Sequence, residues 1–143
     1  DLPSTREYLE TLAIPIIGFQ TDEFPAFFSK SSGMNVDIRI EQIDEIVEFA
    51  RAHWSLGLKS AVLVTVPPPE ETALPKEMID DAIAQALSEA EQNHVVGSQI
   101  TPFLLSRVNE ITKETSMTAN IALLLNNARI AGDLASALSE NPI

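Results

Sequence analysis

Three asparagines interrupt an otherwise apolar stretch near the end of the chain. Asn120 precedes the apolar run 121–125, and Asn126 and Asn127 follow it. Asparagine is a mediocre helix former because its amide competes for backbone groups, and a buried amide without partners costs roughly 1–3 kcal/mol. The spacing of Asn120 and Asn127 places them on one helical face, two turns apart. Such an amide can hold a buried loop or hydrogen-bond a polar ligand, and the residues alone favour the loop.

A second polar group consists of Thr21, Asp22 and Glu23, which follow a short apolar run at residues 14–19. In α/β proteins, ligands bind outside the carboxyl ends of the strands. These three residues are therefore candidates for the rim of a site or for a metal shell. The alternative is an Asx-type turn with solvated charges, which the sequence by itself favours.

The histidines and the paired aspartates have plainer interpretations. His53 lies beside Trp54 in a predicted helix, and we expect it on the helix surface in a structural role. His94 follows the end of another predicted helix, where a cation suits the helix dipole. Asp80 and Asp81 are expected on the solvated face of an amphipathic helix.

Composition excludes several classes of protein. The 143 residues carry 21 acidic and 9 basic side chains, a formal net charge of −12, and no cysteine. The negative charge repels phosphate backbones and anionic lipids, so we expect neither a nucleic acid nor a membrane as partner. Without cysteine there is no disulfide framework, thiolate zinc site or thiol nucleophile. No phosphate loop, dinucleotide fingerprint, membrane span or signal peptide is visible, and the missing initiator methionine suggests a start inside a longer protein.

Helical and strand-like patterns alternate along the first half of the chain. A capping box at residues 4–7 predicts a helix to about residue 12, and Gly57 is a natural end for another helix. The predicted strands cover 14–19, 36–40 and 61–66, with an ordered loop at 21–33, and the predicted helices cover 4–12, 42–56, 75–93, 101–111 and 115–138. This order predicts an α/β fold: a mostly parallel sheet flanked by helices, with a helical C-terminal end that packs as a separate layer.

Several motifs, in their order along the chain, resemble the C-terminal half of the pseudouridine-5′-phosphate glycosidases, a family also called indigoidine synthase A-like. The resemblance covers essentially all 143 residues. It implies that the chain is the C-terminal part of one larger α/β/α domain. The motifs are Tyr8-Leu9-Glu10-Thr11, Thr21-Asp22-Glu23-Phe24-Pro25-Ala26-Phe27, Ser31-Ser32-Gly33, Trp54-Ser55-Leu56-Gly57-Leu58, Thr101-Pro102-Phe103-Leu104-Leu105 and the segment 120–128.

The resemblance implies that pseudouridine 5′-phosphate and water are converted reversibly to uracil and ribose 5-phosphate. The bond cleaved joins two carbons, so the two-carboxylate scheme of ordinary glycosidases does not apply. The family instead forms a Schiff base between a lysine and the ring-opened sugar, with a glutamate as general acid/base and a divalent metal, typically manganese. These groups are expected upstream of this chain, which starts just after the nucleophile segment. We therefore expect the chain alone to be inactive, and no nucleophile or metal ligand is assigned within it.

The resemblance assigns one catalytic and substrate-binding position, Asn120, whose amide can hydrogen-bond the sugar or its phosphate. Asn127 shares its helical face and is a weaker candidate for substrate binding. Thr21, Asp22 and Glu23 match a family motif and are candidates for shaping the site or a subunit contact.

The resemblance also implies a cytoplasmic homotrimer that binds a small molecule and, in some eukaryotic members, is fused to a ribokinase-type sugar kinase. Two alternatives remain open. The chain could be a non-catalytic α/β scaffold or oligomerisation fragment. It could also belong to the related pigment-biosynthesis branch, which changes the substrate and keeps the fold.

Overall fold

A computed structural model describes residues 2–26 and 31–140 and contains a three-stranded parallel sheet. The strands are β1 (Ile16–Phe19), β2 (Ile38–Ile40) and β3 (Leu63–Thr65), and their order in the sheet is β2-β1-β3. Ile17 is paired with Ile38 on one side and with Val64 on the other, which fixes the register. The predicted α/β fold with a parallel sheet is confirmed, with strands shorter than the apolar runs that predicted them.

Five α-helices accompany the sheet in the described residues, and all five were predicted. Helix α2 begins after Gln42, whose backbone N–H donates to the Glu45 carboxylate over 3.3 Å, and it ends before Gly57, which has a φ of +82°. The helices are α1 (Leu2–Thr11), α2 (Ile43–Ser55), α3 (Lys76–Gln92), α4 (Ile100–Ile111) and α5 (Thr115–Glu140), with short 3₁₀ turns at Glu70–Thr72 and Gly97–Gln99.

The start of α1 differs from the prediction. The helix begins at Leu2, so Ser4 and Glu7 lie inside it and the proposed capping box at residues 4–7 is wrong. Pro3 is tolerated in the first turn because the backbone N–H that it lacks would have no partner within the helix there.

Two apolar clusters form the core of the described part of the chain, and α5 belongs to both. Because a helix of 26 residues is about 39 Å long, its first half reaches α3 and α4 while its second half covers the sheet. The predicted separate layer of C-terminal helices is therefore only partly correct, because the second half of α5 packs on the sheet. The helical cluster contains Ile79, Ala82, Ala86, Val108 and Ala119. The sheet cluster contains Ile17, Phe19, Ile40, Ile46 and Ile130.

His53 is buried, so its expected place on the helix surface is wrong. Its ring stacks on Phe49 with centroids 6.5 Å apart, and its Nε2 lies 2.9 Å from the Ser60 hydroxyl, because the chain after α2 folds back over this face. His94 is exposed just past α3, and Asp80 and Asp81 are exposed as predicted, with Asp80 2.7 Å from Lys76 Nζ.

The residues described form no helix that is both long and apolar enough to cross a membrane. The predicted ordered loop at 21–33 falls partly outside the described residues, since positions 27–30 are not among them. The described segment 24–26 of that loop forms one wall of the site.

Candidate functional site

A cavity of about 350 Å³ lies at the carboxyl ends of β1 and β3, the position at which α/β proteins bind ligands. One wall is the loop segment 24–26, a second is the strand end 64–66, and the third is one face of α5. Leu123, Asn127 and Leu134 are among the residues that α5 contributes. The fold therefore brings the loop after β1 and the last helix to one site.

A tight turn after β1 directs the loop toward this cavity. A Cβ atom on Gly18 would lie 2.1 Å from the Thr21 carbonyl oxygen, so the turn needs a residue without a side chain at this position. The Thr21 hydroxyl accepts the backbone N–H of Glu23 at 3.2 Å and donates to the Glu23 carbonyl at 3.1 Å. The turn that the sequence favoured is present, but the Thr21 hydroxyl closes it instead of an aspartate side chain, so it is not of the Asx type.

The two carboxylates of this turn hold the loop by separate contacts. Glu23 accepts hydrogen bonds from the Ser31 hydroxyl at 2.6 Å and from the Gly33 backbone N–H at 3.1 Å. Donation from Ser31 and then from Gly33 keeps the pKa of the Glu23 carboxyl below its ordinary value. Asp22 is paired instead with Arg39, with 2.6 Å between Oδ2 and Nη1. Both residues therefore act on the loop that carries the wall, and neither lines the cavity.

The rim does not fit a metal site. Residues 2–26 and 31–140 contain no cluster of three or more histidine, aspartate or glutamate side chains placed to bind a cation. Asp22 and Glu23 are each engaged by different partners, as described above. The described residues therefore offer no shell for the divalent ion that the resemblance implies.

The structure separates the two candidate asparagines. Asn127 lines the cavity, whereas Asn120 is half-buried one turn before the cavity-lining Leu123 and does not line it. Neither side-chain amide forms a hydrogen bond with another residue that the structure describes. Asn126 differs, because its Oδ1 accepts a hydrogen bond from Arg129 at 3.3 Å. Asn120 and Asn127 thus keep unused donors and acceptors at and beside the cavity.

The N-terminus of α5 is closed to an anion by the chain's own side chains. The backbone N–H of Ser116 donates to the Thr112 hydroxyl at 3.3 Å, and that of Met117 donates to the Asn109 side-chain oxygen at 3.2 Å. A helix N-terminus binds phosphate through such free N–H groups. The groups of α5 that remain available to hydrogen-bond a ligand are therefore the side chains of Asn120 and Asn127, along the side of the helix.

Sequence reasoning missed the wall segments 24–26 and 64–66. Thr65 is buried and donates from its hydroxyl to the Ile17 carbonyl at 3.0 Å, so it ties β3 to β1 directly below the cavity. The available signal was their position in the sequence, because segment 64–66 includes the end of β3 and segment 24–26 lies in the loop after β1.

Comparison with known proteins gives consistent results. The family model described as indigoidine synthase A like protein matches residues 1–137. The chain is 48% identical over 139 residues to the pseudouridine-5′-phosphate glycosidase of Geobacillus kaustophilus, covering 97% of the chain and 46% of the relative. It is 46% identical over 135 residues to that of Petrotoga mobilis, covering 94% and 44%. The chain thus spans less than half the length of these curated relatives.

Two solved structures share the fold. The prealnumycin C-glycosynthase AlnA in complex with ribulose 5-phosphate has a TM-score of 0.88 and 33% identity, covering 98% of this chain and 46% of that one. An indigoidine synthase A-like protein from Thermotoga maritima has a TM-score of 0.82 and 40% identity, covering 94% and 44%.

Proposed function

Because the chain belongs to the indigoidine synthase A-like family, we propose that it forms the C-terminal portion of a pseudouridine-5′-phosphate glycosidase. The observation that carries this proposal is the 48% identity to such a glycosidase across 97% of the chain. A sugar phosphate is also the ligand of the AlnA structure, whose fold the chain shares with a TM-score of 0.88.

The proposed reaction cleaves the carbon–carbon bond between uracil and the ribose of pseudouridine 5′-phosphate, with water adding to give ribose 5-phosphate. In this proposal a lysine outside the chain forms a Schiff base with the ring-opened sugar, and a divalent metal binds among residues outside the chain. The proposed complete enzyme is a homotrimer.

The contribution of this chain is to bind and orient the substrate. The Asn127 amide lines the cavity and can both donate to and accept from a sugar hydroxyl or phosphate. Asn120 lies two turns earlier, about 10 Å along the helix axis. In this proposal its amide hydrogen-bonds a second group of the same ligand, beyond the cavity that Asn127 lines. The apolar segment 24–26 limits access of water to that side of the cavity.

A second candidate function is the formation of a C-glycoside, as the name of AlnA indicates for that protein. The TM-score of 0.88 to AlnA favours this function. The glycosidase remains the first candidate because the chain is only 33% identical to AlnA but 48% identical to the glycosidase of Geobacillus kaustophilus. The two candidate functions differ in their substrates. Release of uracil from pseudouridine 5′-phosphate would therefore support the glycosidase over the enzyme that forms a C-glycoside.

The test uses a joined protein, defined as the unmatched part of the Geobacillus kaustophilus glycosidase followed by this chain. We expect the joined protein to release uracil from pseudouridine 5′-phosphate and the 143-residue chain alone to release none. A folded joined protein without this activity would contradict the proposal, as would activity of the chain alone.

The roles of the asparagines are tested in the same assay. In the joined protein, Asn120→Ala and Asn127→Ala should each lower turnover roughly ten- to a hundredfold, as expected for loss of one hydrogen bond to a charged ligand. Their melting temperatures should stay near that of the parent, because the described structure gives neither amide a partner. Asn126→Ala is the matched control and should keep full activity. A lower melting temperature with unchanged kinetics would make the amides structural.

A further inference from the structure

The side of α5 that faces away from the core is apolar over most of its length. Four large side chains on it are exposed: Met117 by 53%, Ile121 by 53%, Leu124 by 60% and Leu125 by 68%. The same side continues with exposed small residues, which are Ala128, Gly132 and Ala135. We call these seven residues the outer face of α5.

The opposite side of the same helix is already in the core. Ala119, Leu123 and Ile130 are buried. The charged residues of α5 are Arg129, Asp133 and Glu140, and Arg129 and Asp133 lie beside the outer face with 3.7 Å between their charged groups. A helix that is apolar on both sides is typical of the interior of a larger protein.

Gly132 adds an independent observation. Glycine within a helix is less stable than alanine by roughly 0.8–1 kcal/mol, so it usually serves a close approach of another chain segment. A Cβ atom built on Gly132 has no described atom within 4 Å. The described residues therefore give no use for this glycine, which points to a neighbour outside them.

We propose that the outer face of α5 packs against the remainder of the family domain, which makes α5 a central helix of the complete protein. This inference rests on the proposed function, which places the chain in that larger domain. The relatives carry more than half of their length outside the match, since the chain covers 44% to 46% of them.

The proposed packing also affects the site. Asn120 and Asn127 lie on the flank of α5 between its buried side and its outer face. A layer over the outer face would cover that flank, remove water from the two amides and strengthen their hydrogen bonds to a ligand.

Thiol labelling tests the packing directly, since the chain has no cysteine. Leu125→Cys reports on the outer face, and Ser88→Cys on the exposed side of α3 is the control. In the 143-residue chain both thiols should react with a maleimide at similar rates. In the joined protein the thiol at position 125 should react at least tenfold more slowly, while the thiol at position 88 is unchanged, with labelled peptides identified by mass spectrometry.

Equal rates at the two positions in a folded joined protein would overturn the proposal. Slow labelling of position 125 in the isolated chain that becomes faster on dilution would also overturn it, because a second copy would then be the cover. If the joined protein does not fold, the same labelling is done in full-length Geobacillus kaustophilus glycosidase at the positions aligned with 125 and 88, with the same two readings.

Gly132→Ala gives a second measurement with opposite signs in the two proteins. It should raise the melting temperature of the isolated chain, because alanine favours the helix and nothing described obstructs its Cβ. It should lower the melting temperature of the joined protein, where a neighbour occupies that space. A rise in both melting temperatures would contradict close packing at this position.

Protection of position 125 from labelling in a joined protein that releases no uracil would refute the proposed function. The proposed packing of the outer face of α5 would still be supported.

Discussion

The carboxylate of Glu23 accepts the backbone N–H of Gly33 at 3.1 Å, and so one side chain joins the two described ends of the loop beside the cavity. The Ser31 hydroxyl donates to the same carboxylate at 2.6 Å. Segment 24–26, which follows Glu23 directly, lines the cavity. The position of this wall therefore depends on an ionised carboxylate.

We predict that protection of the Gly33 amide from hydrogen exchange depends on pH through Glu23. Hydrogen bonds from Ser31 and Gly33 lower the pKa of Glu23 from its ordinary 4.5. A group whose pKa is lower in the folded state stabilises that state above its unfolded pKa, and the effect is lost as pH falls through the folded pKa. Protection factors of Gly33 should therefore be constant at neutral pH and fall in acid below 4.5.

Glu23→Gln should reduce the protection of Gly33 at neutral pH and remove its acid dependence. Asp22→Asn is the control, because the Asp22 carboxylate is paired with Arg39 and not with Ser31 or Gly33. Unchanged protection in the Glu23 variant would show that the loop is held by other contacts.

Gly18→Ala should destabilise the chain. The added Cβ would lie 2.1 Å from the Thr21 carbonyl oxygen and 2.9 Å from Val36 Cγ2, so the turn after β1 must shift. Overpacking of this kind costs roughly 1–3 kcal/mol, measured as the free energy of unfolding in urea. Gly132→Ala, which meets no described atom, is the matched control and should not destabilise the isolated chain. Equal stability of the Gly18 variant and its parent would refute the steric explanation.

Ser60→Ala should destabilise the packing of α2 by about 1–3 kcal/mol. The Ser60 hydroxyl donates to the Ala13 carbonyl at 2.7 Å, so it accepts from His53 Nε2 at 2.9 Å, and the substitution leaves that buried ring without its partner. Trp54, whose Nε1 donates to the Ser60 carbonyl at 3.1 Å, reports unfolding by fluorescence. Ser55→Ala removes only an exposed hydrogen bond to Ala52 and should change stability by less than about 0.5 kcal/mol. Similar effects of the two substitutions would argue against the role of Ser60.

Glu89→Gln should lower the melting temperature by weakening the contact between α3 and α4. Arg107 donates from Nη2 to Glu89 at 3.0 Å and from Nη1 to Glu110 at 2.7 Å, and its hydrogen bonds are the main cause of the lowered pKa of Glu89. The destabilisation should be full above pH 4.5, the ordinary value of this pKa, and should shrink in acid as the native carboxylate becomes protonated.

Glu91→Gln on the same helix is the control for this ion pair. Added salt should reduce the difference between parent and Glu89 variant, since exposed charges are screened. A difference that persists unchanged in acid and in high salt would assign the effect to packing rather than to charge.

The elements that sequence reasoning recovered are those fixed by local chemistry. Strand β1 is apolar throughout because it is the central strand and all four of its residues are buried. Gly57 ends α2 with a φ of +82° that suits glycine. His53 was misplaced although a signal existed, since it lies seven residues after the buried Ile46 and on the same helical face.

The cavity itself was beyond the reach of local patterns. It needs the strand order β2-β1-β3, which brings segment 24–26 next to the end of β3 and to α5. Helical spacing put Asn120 and Asn127 on one face, but only the crossing of α5 over the sheet decides which of them lines the cavity. Long-range pairing and helix placement, rather than residue type, set this part of the site.

The shared membership of α5 in two apolar clusters constrains how its sequence can change. Ala119 packs in the helical cluster and Ile130 in the sheet cluster. The helical repeat brings these two positions back to the same side to within about 20°. An insertion or deletion of one residue between them would rotate one end against the other by about 100° and take one cluster out of phase. This stretch of the chain should therefore tolerate substitutions far more readily than changes in length.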